Sequence, residues 1–385
     1  MFLGFVGLSA GQFHGYLFER MGFFPLQIGI LLFSGYAAGI VAPIVQVRAI
    51  RWLRGPRRPL MLILAGAGLG MAFLPHVHGF FAVAMIFFMA LFCTASISTL
   101  ITACSLEVTR DRGRWLYFVI RTLGTIGYLV GCVASYFRST PESLPFLYLG
   151  FGGAFIAALA VATVDLRPAD PRQAPEDAEV VEHPRAAPGF RRALQLFSDP
   201  LTARLLWTLG VMNFANAMVT LAQGNYLASR FSGGQSVISE AWIVATFCEI
   251  PLMLFCAWLM RRHGLRAVIT FGLLGTVLKL VLTGIAGSRG VYFLGLMVHG
   301  CFFSGALVGF NLYVDQRFPV ADRPSLQALG TLFYQGIPTA LAGLAVGTVW
   351  HFWGLRSVFW IAGMIAMMTG VTAFKLLPRL SSSRA

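Results

Sequence analysis

The chain has 385 residues, of which 57% are hydrophobic and only 11% charged, and its mean hydropathy is +0.74. Those values exclude a soluble domain and place it among polytopic membrane proteins. The formal net charge of +14 invites a nucleic-acid reading, but the basic residues gather in alternate connections rather than on one folded face, which excludes that partner.

Twelve apolar stretches of spanning length follow one another, separated by short polar turns. The first, 2–18, has no basic segment before it and no small-residue cleavage site after it, so an uncleaved helix is expected. Within it Gln12, His14 and Tyr16 alternate, and only Gln12 and Tyr16 share a helical face. Spans at 27–47, 60–77, 79–104, 115–137 and 145–164 come next. The second carries Pro43 and ends on the basic run RAIRWLRGPRR at 48–58. Glycine pairs at four-residue spacing, such as Gly35/Gly39 and Gly343/Gly347, let helix backbones approach closely in lipid.

The one long interruption, 165–200, is rich in proline and charge and cannot bury a core. Its last part, Phe190 to Phe197, has basic and apolar residues at helical spacing, suited either to lying on the inner leaflet or to ending a plain linker. Spans at 203–227, 239–260, 268–286, 291–314, 328–350 and 356–376 follow. The eighth carries Pro251 and is followed by RRHGLRA at 261–267, an echo of the second span and its basic turn. Such correspondence is the weak internal symmetry of major facilitator folds. The expectation is an all-α membrane protein with twelve transmembrane helices in two six-helix halves, residues 1–164 and 201–385, joined by a cytoplasmic linker at 165–200.

Orientation follows from the basic residues. With both termini inside, the inner segments hold 22 of them and the outer segments five: Arg20, Arg138, Arg230, Arg289 and Arg356. The positive-inside rule then predicts a multi-pass protein of the cell (inner) membrane with both termini cytoplasmic.

Arg121 and Lys279 remain inside the membrane, and of fifteen acidic residues only Glu249 falls near the middle of a span. A carboxylate at the bilayer centre costs at least ~2.5 kcal/mol, so it is retained only if paired, protonated or used. Burial and a nearby cation move its proton affinity in opposite directions, which suits Glu249 to coupling. His299 is the other titratable candidate for proton coupling, against the alternative of a hydrogen-bonded core histidine. Lys279 is placed to snorkel outward or to face a cavity. Asn213, Asn216, Thr220 and Gln223 form a polar stripe on the seventh span, which must face protein or water. Phe303, Tyr334 and Trp242 are able to stack on a planar ligand, although packing is the commoner role of aromatics.

Enzyme chemistry finds no support. Gly7-Leu8-Ser9-Ala10-Gly11 fits a nucleophile-elbow pattern but lies in a spanning helix without the strand and turn that expose the serine. There is no HExxH or Walker loop, and the six cysteines lie in spans without metal-ligand spacing, so neither metal nor cofactor is expected.

Ile120-Arg121-Thr122-Leu123-Gly124-Thr125-Ile126-Gly127-Tyr128 resembles the I-R-x-x-G-T-x-G-[FYW] signature of the nucleoside:proton symporter family, a version of which phenylpropionate permeases and lactose permease share. Glu249-Ile250-Pro251 resembles that group's acidic position in the eighth helix, Lys279 stands where it usually places an arginine, and His299-Gly300 resembles its H-G or Y-G pair. The chain departs from the pattern at Thr246, where nucleoside symporters carry Gln, at Asn213 and Asn216, which match their Gln-x-x-Asn pair only with a shift, and at Gln46-Val47, which lacks the usual acidic residue. The resemblance implies a proton-coupled symporter of a small polar, nucleoside-like solute working by alternating access as a monomer. Glu249 and His299 would couple protons, and Arg121, Thr125, Asn213, Asn216, Gln12, Thr246 and Lys279 would bind substrate. A facilitator or exporter of amphipathic or aromatic compounds and a non-transporting sensor on the same fold are the alternatives.

Overall fold

The computed structural model describes residues 1–52, 57–95, 97, 114–138, 140–163, 199–231, 233–318, 326 and 330–376. The linker to residue 198, with its Phe190–Phe197 segment, and the end of the span expected at 79–104 lie outside the described residues, as do the side chains of Gln46, Val47 and Arg121.

All described regular structure is helical. The chain runs through α1 (Phe2–Leu8), a 3-10 segment Ser9–Phe13, α2 (His14–Arg20), α3 (Pro25–Trp52), α4 (Arg57–Phe73), α5 (Phe80–Thr94), α6 (Arg114–Phe137) and α7 (Leu144–Thr163). After the linker come α8 (Pro200–Arg230), α9 (Gln235–Ile285), α10 (Arg289–Met297), a π-helical segment Phe302–Leu307, α11 (Val308–Arg317), a second π segment Leu332–Gly336, α12 (Ile337–Trp353) and α13 (Leu355–Leu376). Among the described residues eight helices are long and apolar enough to cross a membrane, and Phe80–Thr94 and Thr122–Phe137 are shorter apolar helices. Backbone groups have no water to bond in hydrocarbon, so a helical chain is what this hydropathy demands.

Local chemistry sets the boundaries. Asp199 caps α8, its carboxylate accepting from the Thr202 backbone N–H at 3.3 Å, with Pro200 opening the first turn. Helix α9 comprises 51 residues, too long for one crossing, and it breaks at Gly264, whose φ of +78° suits a residue without a Cβ. The break lies inside the basic turn 261–267, between the eighth and ninth expected spans.

Helices before residue 164 pack mainly on one another: α1 on α6 and α7, α3 on α5, and α4 on α5 and α7. Those after residue 199 do likewise: α8 on α9, α12 and α13, and α9 on α10 and α13. The main helix pairs that join the groups are α3 with α12, α6 with α9 and α2 with α8, and the Ser9–Phe13 segment also meets α8 and α9. The first is backbone on backbone: a Cβ on Gly347 would lie 2.8 Å from the Pro25 carbonyl oxygen, and one on Gly343 2.8 Å from the Phe33 nitrogen. In the third, the Asn225 side-chain amide donates to the Gly15 carbonyl at 3.0 Å and to the Glu19 carboxylate at 2.7 Å.

Gln12, His14 and Tyr16 are all buried, but Gln12 and Tyr16 both face Gly224 of α8 whereas His14 meets Tyr148, as the sequence spacing led one to expect. Helix packing covers the segment on several sides.

Candidate substrate and proton site

Glu249 lies 14 residues after Gln235, where α9 begins, and 15 before the break at Gly264. At 1.5 Å per residue it is about 21 Å from either end of that rod, deeper than the sequence spans suggested. Its side chain is partly buried. Thr246, one turn earlier, is 3% exposed, and Trp242, one turn before that, is also buried. The i, i+3, i+4 rule sets the three on one stripe.

The helix opposite is interrupted at the same depth. Helix α10 ends at Met297, a turn follows at Val298–Gly300, and the chain resumes as the π segment Phe302–Leu307. Such π turns concentrate at functional sites because they re-aim side chains. The turn sends His299 and Gly300 to different tasks. Gly300 faces Glu249 so closely that a Cβ there would lie 2.9 Å from both Cα and Cγ of Glu249. The His299 Nδ1 meets the Lys279 Nζ at 2.8 Å.

Lys279 is 1% exposed and turned inward, which excludes the snorkelling alternative. It also donates to the Asn216 Oδ1 at 2.8 Å. With Lys279 as an ammonium, which has only donors, His299 accepts through Nδ1 and carries its proton on Nε2, and the Asn216 amide is held with its N–H₂ turned elsewhere. Two cations 2.8 Å apart would repel strongly, so Lys279 and His299 together hold at most one positive charge.

Rings extend the site toward α6. Trp242 packs edge-on against His299 at 5.2 Å and against Tyr128 at 5.9 Å, and His299 lies 6.0 Å from Phe303. Tyr128 is within electrostatic reach of Glu249, and Thr125, one turn from Tyr128, is buried. On α8, Asn213 donates to the Thr339 hydroxyl of α12 at 3.2 Å, while Thr220 bonds back to the Asn216 carbonyl of its own helix. The polar stripe thus ties helices together at Asn213 and Asn216. It leaves Gln223 without that role: the amides of Gln12 and Gln223 and the indole N–H of Trp242 are buried with no hydrogen-bond partner among the described residues. Each such group costs about 1–3 kcal/mol unless water or a solute meets it. The Gln12 carbonyl abuts Gly224, so the two glutamine positions belong to one junction of the first and seventh spans.

Lys279, His299 and Asn216 are therefore brought into direct contact, and Glu249 and Thr246 share the facing stripe. Gln12 stands at the junction of α8 with the first span, and the Arg121 side chain lies outside the described residues. Sequence reasoning missed Thr339, Asn225 and the steric role of Gly300. His14, by contrast, is a core residue: its Nδ1 is 2.7 Å from the Tyr148 hydroxyl, and Phe87 packs edge-on against it at 4.9 Å.

Comparison with known proteins gives the family and the fold. The model of the family described as nucleoside H+ symporter matches residues 2–377. The xanthosine permease of Escherichia coli (strain K12) is 21% identical over 350 residues, covering 86% of this chain and 82% of its own. YegT of the same organism, named as a candidate nucleoside transporter, is 24% identical over 354 residues, with 86% and 78% covered. Among solved structures, the nucleoside transporter NupG superposes with a TM-score of 0.79 at 16% identity, covering 97% of this chain and 96% of its own. A D-xylose-proton symporter gives 0.76 at 14% identity over 98% and 97%.

Proposed function

Because the chain belongs to the nucleoside H+ symporter family, we propose that it carries nucleosides across the inner membrane together with protons, by alternating access between two six-helix halves, residues 1–164 and 201–385. Twelve crossings are supported by the packing: the first span is α1 to α2, α9 contributes two rods about Gly264, and α10 with α11 forms one interrupted crossing. The 22-to-5 basic asymmetry supports a cytoplasmic linker and cytoplasmic termini. The protein works as a monomer, each copy holding a complete site.

The observation that carries the reading is the buried Lys279–His299–Asn216 chain beside the Glu249–Gly300 contact. A nucleoside is neutral, flat at the base and rich in hydroxyls at the ribose. Asn216 supplies amide donors fixed by Lys279, Asn213 supplies a carbonyl left free by its bond to Thr339, and Gln12, Thr125 and Thr246 add further polar groups. Trp242, Tyr128 and Phe303 offer ring faces for the base. Arg121 serves as a fork for hydroxyls or for Glu249.

Coupling follows from charge. Deprotonated Glu249 needs a compensating cation in the membrane interior, and protonation removes that need, so the halves can rock without exposing a naked buried charge. His299, able to take up a proton only if Lys279 releases one or moves away, is the second titratable element. The test is uptake of radiolabelled nucleosides into proteoliposomes under an imposed pH gradient. Wild type accumulates substrate and loses accumulation when a protonophore collapses the gradient. Glu249→Gln keeps exchange between equal concentrations but cannot accumulate; if it still concentrates nucleoside against a gradient, Glu249 is not the coupling residue.

A further inference from the structure

On the two rods that carry Glu249 and Lys279, the break at Gly264 leaves a separate groove of about 430 Å³, lined by none of the residues of the site described above. Its walls are the apolar side chains of Phe255, Leu259, Phe271 and Leu274, and its rim carries His263 and Arg266. Phe255 precedes the turn by nine residues and Leu274 follows it by ten, so the groove descends about 14–15 Å from the turn at helical rise. That is the depth of one leaflet, half of a hydrocarbon core of ~30 Å.

The mouth has the chemistry of a membrane interface. Trp258 stacks on Phe255 at 5.4 Å, and the Arg262 guanidinium sits 5.6 Å from the Trp258 ring. His263 meets the same indole edge-on. Arg261, Arg262, His263 and Arg266 are all exposed, and no carboxylate occurs in the sequence between Glu249 and Asp315. A tryptophan with arginines at the end of an apolar groove matches the aromatic and basic belts that meet lipid headgroups. Basic pockets between helices at the inner surface favour anionic headgroups over zwitterionic ones.

We propose that this groove is a binding site for an anionic phospholipid of the inner leaflet, its acyl chain lying along Leu259, Phe271 and Leu274 and its phosphate held by Arg262 and Arg266. The assignment of leaflet rests on the orientation proposed above, whereas the lipid chemistry does not. A bound lipid would brace the turn joining the eighth and ninth crossings, on the same rod that carries Glu249.

The test uses the full-length protein purified in detergent and stripped of lipid. Phosphatidylglycerol, phosphatidylcholine of the same chain length, and inorganic phosphate are each titrated, with bound lipid read by native mass spectrometry and stability by the thermal midpoint. Phosphatidylglycerol is expected to remain as a discrete adduct and to raise the midpoint, with at least tenfold weaker binding of phosphatidylcholine and no effect of phosphate. The Arg262→Ala/Arg266→Ala double variant should lose the adduct, while Arg356→Ala, which removes an exposed arginine beside Trp360 at a different turn, should keep it. Equal retention of the two lipids, an equal response to phosphate alone, or undiminished phosphatidylglycerol binding by the double variant would overturn the assignment. Because binding is measured in detergent, the outcome does not depend on which way the chain is inserted.

Discussion

Gly300 lies directly against the backbone and side chain of Glu249, with no room between them for even a methyl group. The residue beside the carboxylate proposed for coupling is therefore fixed by space rather than by charge. Gly300→Ala should push the two segments apart at an overpacking cost of about 1–3 kcal/mol and displace Glu249. The expected result is at least tenfold loss of proton-driven accumulation with the protein still folded in a size-exclusion profile. Wild-type accumulation by this variant would show that the contact does not position the carboxylate.

Lys279 is expected to act on substrate through Asn216. Lys279→Met and Asn216→Ala should each raise the KM for nucleoside substantially, and the double variant should be little worse than either single one, because residues in one hydrogen-bonded chain do not contribute additively. Additive losses across this cycle would mean that the 2.8 Å bond does not orient the amide.

Topology can be read directly. Reporters fused after residue 55 or within 170–190 should register as cytoplasmic, and those near 140 or 288 as external, following the basic asymmetry. An external signal from the central linker would overturn the arrangement of the halves.

Asp199 gives a pH-dependent stability term outside the spans. Partial burial acts to raise its affinity for a proton, but the Thr202 hydrogen bonds and the Arg317 guanidinium, 3.2 Å away, outweigh it and hold the carboxyl below its ordinary value. A depressed folded-state value means that the stabilisation is complete above the unfolded carboxylate range, around pH 4, and is lost as pH falls through the lower folded value. Asp199→Ala should cost about 1 kcal/mol at pH 7 through loss of the helix cap. The gap in thermal midpoint between wild type and variant should narrow on acidification, and a gap that stays constant down to about pH 3 would rule out this role for the charge.

How far the sequence revealed this arrangement differs by element. Hydropathy marked the helical segments and their turns, since lipid leaves few alternatives to a helix. Glu249 and Lys279 were conspicuous because isolated charges in apolar runs are rare. The inward turn of Lys279 was not legible, because snorkelling and burial look alike in one dimension. The interruption at Val298–Gly300 was also hidden: Gly300 stood out only as half of the His299-Gly300 pair, and only the opposing wall of Glu249 reveals what it admits. Thr339 and Asn225 act on partners more than 120 residues away, beyond the reach of any local pattern.

The bonds from Asn225 to Gly15 and Glu19 have an energetic corollary for a machine that must reverse itself. They fasten the two groups of helices at the end of the bundle bearing Arg20 and Arg230, together with the Gln235 amide donating to the Arg138 carbonyl at 3.3 Å. Links of this kind contribute only about 0.5–1.5 kcal/mol each, or up to ~3 where a carboxylate is involved. A clasp so weak adds little to the gap between this state and the opposite one, so releasing it asks only a small differential affinity of the solute and the coupled proton.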